Sequence, residues 1–138
     1  MPSYTIKQIT IEEALPIRHK VMWPNETIDY VRLPEDDEGT HYGLIIDSNL
    51  IAVISLFKKG KEAQFRKFAT LHEYQGKGYG TILLNAIMNI AAENNLTRIW
   101  CNARTSKTNF YAKFNMQLTP VEFIKGGLNY VIMERNFH

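Results

Sequence analysis

The residues best suited to chemistry are six in a row, Gln75-Gly76-Lys77-Gly78-Tyr79-Gly80, directly before a run with helical periodicity. Glycines two apart let a backbone turn tightly and approach a ligand without Cβ atoms in the way. The helix that follows offers unpaired amides and the positive end of its dipole, and Lys77 adds a mobile positive charge. Such a loop holds phosphate. It is not a Walker A loop, because Gly76-Lys77 is followed by glycine and position 71 is leucine. It is not a dinucleotide fingerprint either, since the third glycine would have to be Thr81 or Leu83.

A second constellation stands about thirty residues further on, from Asn102 to Met116. It holds Arg104, Asn109, the pair Phe110-Tyr111, Lys113 and the turn Asn115-Met116. Together the two segments resemble the GNAT acetyltransferase superfamily. The first matches the pattern Gln/Arg-x-x-Gly-x-Gly/Ala at Gln75, Gly78 and Gly80. The second resembles the short helix bearing Phe-Tyr that precedes a Gly-Phe turn, here Asn115-Met116, a mild change because asparagine tolerates positive φ.

The resemblance implies an N-acyltransferase that uses acetyl-CoA as co-substrate and attacks the thioester directly with a small acceptor, an amine; the missing signal-peptide core and zinc spacing add the expectation of a cytoplasmic protein with no metal. The cofactor-binding residues that the resemblance implies are Phe68, Ala69 and Thr70 on a strand that pairs with the pantetheine. To these it adds Gln75, Gly76, Lys77, Gly78, Tyr79, Gly80 and Thr81 around the pyrophosphate, with Arg104 and Asn109. Tyr111 stands where the family commonly places the acid that returns a proton to the thiolate. A phenol suits that task, because its pKa of about 10 lies near that of a thiol. Many members carry asparagine seven residues before this tyrosine. Here the position is Arg104, which suits a phosphate or the acceptor and leaves Asn102 or Asn109 for the amide contact. A non-catalytic acyl-CoA binder remains the main alternative, and a nucleotide-binding protein using the same loop is another.

No general base is evident. Gln64 occupies the position where some members carry a catalytic glutamate, and Glu62 lies two residues away on the same strand face. His41 opens a strand and reads as a surface histidine that could titrate near neutrality. His72 and Glu73 read as solvated turn residues, and Cys101 as a small core side chain. Trp23, Tyr30, Trp100 and Tyr130 could line an acceptor pocket or simply pack. The acidic run Glu35-Asp36-Asp37-Glu38, in the irregular stretch 22–41, would draw a cationic amine toward His41.

The elements that must position these groups follow from patterning. Residues 4–9 alternate as a strand, and Thr10 with Glu13 forms a capping box for a helix to about residue 21, which Pro16 should kink or delay. Residues 41–47 and 50–58 make a hairpin, and 63–71 a third antiparallel strand. Residues 79–93 are the clearest helix, 97–101 a strand, 106–114 a short helix, and 117–124 with 128–134 a closing hairpin. The order β-α-β-β-β-α-β-α-β-β is one α/β (α+β) domain over residues 1–138, with about seven strands in a mixed, mostly antiparallel sheet flanked by helices. The strands around the 79–93 helix should run parallel.

The bulk numbers agree. At 138 residues, 45% of them apolar, the chain has the size and composition of one globular domain. A net charge of +2 from 16 basic and 14 acidic residues gives no basic stripe for nucleic acid. One cysteine excludes an internal disulfide, and no Cys/His spacing suits zinc. The first residues lack a signal-peptide core, and no run of about 20 apolar residues could span a membrane. A homodimer is left open.

Overall fold

A computed structural model describes residues 3–137. Seven strands form one sheet in the order β1-β2-β3-β4-β5-β7-β6: β1 (Tyr4–Ile9), β2 (Thr40–Ile46), β3 (Asn49–Lys59), β4 (Glu62–Thr70), β5 (Arg98–Arg104), β6 (Gln117–Lys125) and β7 (Leu128–Asn136). All neighbours are antiparallel except β4 and β5, joined by the crossover helix α2 (Tyr79–Glu93). That is the expected mixed sheet. Helix α1 (Ile11–Met22) covers one face beside β3 and β4, while α2 and the short α3 (Thr108–Ala112) cover the other.

Helix α1 is neither delayed nor begun after Pro16. Thr10 and Glu13 form the capping box, and the helix runs through the proline to Met22. The ring faces solvent, while Ala14, Leu15, Ile17 and Arg18 are buried on the other side. That buried stripe offsets the roughly 3 kcal/mol cost of an interior proline. Strand β5 runs three residues beyond expectation, to Arg104, because β7 pairs with it as far as Arg104 opposite Tyr130. The 106–114 helix is shorter than expected. A 3-10 turn occupies Thr105–Lys107, and only Thr108–Ala112 is α-helical.

The largest departure lies inside β4. Lys67 has φ +55°, and the register with β3 slips there: Ser55 faces Arg66, yet Val53 faces Ala69. This is a β-bulge, one residue too many on β4. It inverts the alternation of faces. Ala63 and Phe65 join the core under α2, and Phe68 meets Phe65 there edge to face at 6.5 Å, while Ala69 is buried under α1. Arg66, opposite Ser55, falls on the α1 face, and Lys67 beside it lies within reach of the Arg18 and Asp36 charges on that face.

The bulge also marks where the sheet opens. β4 pairs with β5 only from Glu62 opposite Arg98 to Gln64 opposite Trp100. Beyond that point β4 continues to Thr70 and β5 to Arg104 without pairing, a wedge-shaped gap in mid-sheet.

The stretch 22–41 is pinned by a buried polar circuit. Arg18, 0% exposed, donates through both terminal nitrogens to the Asp36 carboxylate at 2.8 Å, to the Val31 carbonyl at 3.0 Å and to Ser55 Oγ at 2.9 Å. Ser55 Oγ lies 2.6 Å from His41 Nδ1, and His41 Nε2 lies 3.0 Å from the Asp36 carbonyl oxygen. A carbonyl can only accept, so Nε2 carries the proton and Nδ1 accepts from the serine. His41 is thus no surface residue: it is 5% exposed and committed on both nitrogens. Burial alone would raise the Asp36 carboxyl, but hydrogen bonds from Arg18 and the Leu33 amide hold it below its ordinary value.

Asp36→Asn should therefore lower stability by about 3–5 kcal/mol, since it leaves the Arg18 charge buried without its counterion. Because the folded carboxyl is depressed, this stabilisation is complete above about pH 4 and disappears as pH falls through the folded value. Urea unfolding at about pH 7 and about pH 3 checks both points: the gap between parent and variant should narrow in acid. A gap that is small at pH 7, or that widens in acid, contradicts the circuit.

Candidate active site

The glycine loop sits at the wide end of the gap. Gly78 is the N-cap residue of α2 with φ +89°, and no side chain caps the helix. The first intrahelical bond is from the Ile82 amide to the Gly78 carbonyl, so the amides of Tyr79, Gly80 and Thr81 have no partner within the helix. A Cβ on Gly76 or Gly78 would meet nothing within 4 Å, so both open onto free space where a ligand can lie. A Cβ on Gly80 would lie 3.4 Å from the Phe68 ring and 3.7 Å from Thr70 Oγ1, which seats the loop against the end of β4. The Gln75 side chain braces it, donating to the Thr70 carbonyl at 2.8 Å. Lys77 is exposed, its ammonium 6.0 Å from the centre of the Tyr74 ring. Free amides, a helix dipole, an open cradle and a mobile cation together suit a pyrophosphate.

The inner end of the gap is aromatic. Tyr111 on α3 packs against Phe65 at 5.8 Å and Phe110 at 5.2 Å, and Phe110 lies 6.4 Å from Phe68. Burial, with the neighbouring Cys101, raises the Tyr111 phenol far above its ordinary value, and Arg104 opposes this. The phenol thus keeps its proton throughout the neutral range, but it is a weaker acid than the near match to a thiol expected from the sequence. Cys101 is 3% exposed, its thiol pushed up to about 12 by burial, as befits a core side chain.

The unpaired edge of β4 joins the two ends. The Leu71 amide donates to Ile51 on β3, while the Thr70 carbonyl accepts from Gln75 on the other side. Main-chain groups in the 65–70 stretch that do not face β3 are turned into the gap. The structure thus gathers Phe68, Ala69, Thr70, residues 75–81 and Tyr111 along one groove. Ala69 borders it through its main chain alone, its side chain being buried under α1. Arg104 is exposed at the end of β5 and Asn109 exposed on α3, both at the rim. Asn102, also exposed, lies on β5 opposite Ile132.

The α1 face of the sheet carries a cavity of about 670 Å³ over the short stretch where β4 and β5 pair, lined among others by Glu35, Glu38, Phe57, Gln64, Arg98 and Trp100. Glu62 and Gln64 both line it, as their shared strand face requires. Glu62 is held by Arg98 at 3.0 Å, and Glu35 pairs with Arg66. Asp36 is buried on Arg18, so the acidic run cannot offer it to a solvent-borne amine. His72 and Glu73 are exposed in a 3-10 turn. Trp23 and Tyr30 are exposed and pack on each other at 5.4 Å, and Tyr130 stacks on Phe123 at 5.3 Å. Of the four aromatics considered for an acceptor pocket, Trp100 alone lines the cavity.

Sequence reasoning missed the bulge at Lys67 and the cavity wall that Phe57 supplies. The bulge did leave a signal: the apolar positions 63, 65 and 68 step by two and then by three. Among the described residues, no helix is long and apolar enough to cross a membrane.

Known proteins share this fold. The acetyltransferase (GNAT) family description matches residues 7–116. The uncharacterised N-acetyltransferase YitI of Bacillus subtilis (strain 168) is 30% identical over 138 residues, covering 93% of each chain. Among solved structures, an IAA acetyltransferase from Bacillus cereus ATCC 14579 superposes with a TM-score of 0.79 at 18% identity, over 98% of this chain and 100% of that one. The PaiA N-acetyltransferase of Thermoplasma acidophilum, solved with coenzyme A, gives 0.74 at 18% identity, over 98% and 99%. With the family description matched over residues 7–116 and a relative 30% identical along nearly the whole chain, this chain belongs to the GNAT acetyltransferase family.

Proposed function

We propose that this enzyme moves an acetyl group from acetyl-CoA straight to the amine of a small acceptor, with no acyl-enzyme intermediate. The observation that carries this reading is the gap between β4 and β5, which leads from the uncapped amides of α2 to the Tyr111 phenol. Bound there, acetyl-CoA supplies the activated acyl group. The amides of Tyr79, Gly80 and Thr81 hold the pyrophosphate, with Lys77 beside them. The edge of β4 between Phe65 and Thr70 aligns the pantetheine and offers an amide to the thioester oxygen, a contact that commonly supplies the largest catalytic contribution. Tyr111 returns a proton to the departing thiolate and regains one from water, which in turn takes the proton the amine gives up.

The acceptor enters from the opposite face, through the cavity over Gln64 and Trp100. Its amine must be neutral to attack. Gln64 cannot take a proton and Glu62 is tied to Arg98, so the proton leaves through cavity water. The buried Cys101 thiol suits no acyl carrier. A non-catalytic acyl-CoA binder is the competing reading, which the missing carboxylate base favours and Tyr111 opposes. Thiol release from acetyl-CoA across a panel of amines, polyamines, amino acids and peptides separates the two. Expected is release that depends on the acceptor and saturates with it. Tight coenzyme A binding with no release from any acceptor contradicts catalysis.

A further inference from the structure

On the reading that the thioester lies in the gap beside Phe65, we propose that Lys67 anchors an anionic group of the acceptor, so that the acceptor is an amine carrying a nearby carboxylate. The β4 bulge is the structural basis. It leaves Arg66 on the acceptor face opposite Ser55 and sets Lys67 beside it, at positive φ and within reach of the Arg18 and Asp36 charges on that face. Arg66 is neutralised by Glu35. Lys67 is half-buried, and among the described residues no carboxylate stands within ion-pair distance of it.

The charges felt at Lys67 come from four elements: Arg66 beside it on β4, Arg18 on α1, Asp36 in the 3-10 turn Asp36–Glu38, and Lys125 at the end of β6. Arg18 and Asp36 cancel each other. What remains unmatched is Lys67 with Lys125. Burial, then Arg18, Arg66 and Lys125, lower the Lys67 ammonium from its ordinary value, with Asp36 opposing. A half-buried cation among cations gains more from an arriving anion than an exposed lysine would.

Geometry sets the size of the acceptor. Lys67 is two residues along β4 from Phe65, roughly 7 Å of strand. An acceptor whose nitrogen attacks beside Phe65 while its carboxylate meets the flexible Lys67 side chain has only a few bonds between the two groups. That describes an α- or β-amino acid or a close analogue. It also reverses the expectation drawn from the acidic run, whose Asp36 and Glu35 are committed to Arg18 and Arg66.

The test uses α- and β-amino acids, each paired with its own primary amide, against the parent, Lys67→Met and Lys67→Arg. Calorimetry with acetyl-CoA comes first. Loss of that binding in the parent would be a failure of the cofactor reading, seen before any acceptor is added. Given binding, kcat/KM in the parent should favour at least one acid over its amide by ten-fold or more. The amide's amine is the less basic and the more fully neutral at pH 7, so intrinsic reactivity works against this preference. Lys67→Met should erase the preference by raising the acceptor KM while acetyl-CoA affinity holds, and Lys67→Arg should retain most of it.

Amides that equal or exceed their acids, or a preference that survives Lys67→Met, overturn the proposal. So does acetyl-CoA binding with no release from any acid. If Lys67→Arg loses kcat as fully as Lys67→Met, Lys67 acts as a base and the anchoring role is overturned. Thermal melts of all three proteins confirm that each variant is folded.

Discussion

Tyr111→Phe is expected to lower kcat by about ten-fold to a thousand-fold, the range typical of losing a general acid, while acetyl-CoA affinity stays near that of the parent. The aromatic contacts with Phe65 and Phe110 survive the substitution, so the groove keeps its shape and only the phenolic proton is lost. Because burial raises the phenol, it remains protonated well beyond neutrality. The parent should therefore show no alkaline loss of kcat from Tyr111 below about pH 10. The variant's deficit should be of similar size across the neutral range. Turnover equal to the parent's with the best acceptor would reduce Tyr111 to packing, and an alkaline limb near neutrality that Phe removes would mean the phenol is not held as described.

Gly78→Val is expected to weaken acetyl-CoA binding by roughly a hundred-fold, about 2.7 kcal/mol. Two effects coincide. At φ +89° any branched side chain is strained, a stability cost of about 1–2 kcal/mol, and its Cβ projects into the open space before the free amides of α2. Gly80→Ala is the control. Its Cβ makes ordinary contacts with Phe68 and Thr70, its backbone is helical, and alanine is the better helix former. Near-parent affinity in Gly80→Ala beside a large loss in Gly78→Val, measured by calorimetry on folded protein, is the expected pair of results. Native affinity in Gly78→Val would move the anion site away from the α2 terminus.

Much of this architecture was legible in the sequence because local chemistry and tertiary demand agree. The Thr10–Glu13 box starts α1, the 79–93 apolar stripe makes α2, and Gly126-Gly127, both at positive φ, close the last hairpin. The loop glycines announced a tight turn before α2 by spacing alone, and Gly76 and Gly78 both have positive φ. What the sequence hid depends on contacts between distant residues. Arg18, Asp36, Ser55 and His41 look like unrelated surface residues until α1, the 31–39 stretch, β2 and β3 bury them in one circuit. The same circuit withdraws His41 and Asp36 from any acceptor site. β5 reaches Arg104 because β7 pairs with it, a cause that no property of residues 102–104 reveals. The bulge at Lys67 is a middle case: the broken alternation through Phe65 and Phe68 records it, although only the register with β3 shows which residues share a face.

Direct transfer is tested most simply by mixing the protein with isotopically labelled acetyl-CoA, first alone and then with an amine acceptor panel, and weighing both protein and small molecules by mass spectrometry. Expected is unlabelled protein in every mixture and an acetylated amine, formed in step with free coenzyme A, only where an acceptor is present. Label on the protein that an added amine then removes, or coenzyme A bound at the glycine loop with no labelled amine from any acceptor, would contradict it.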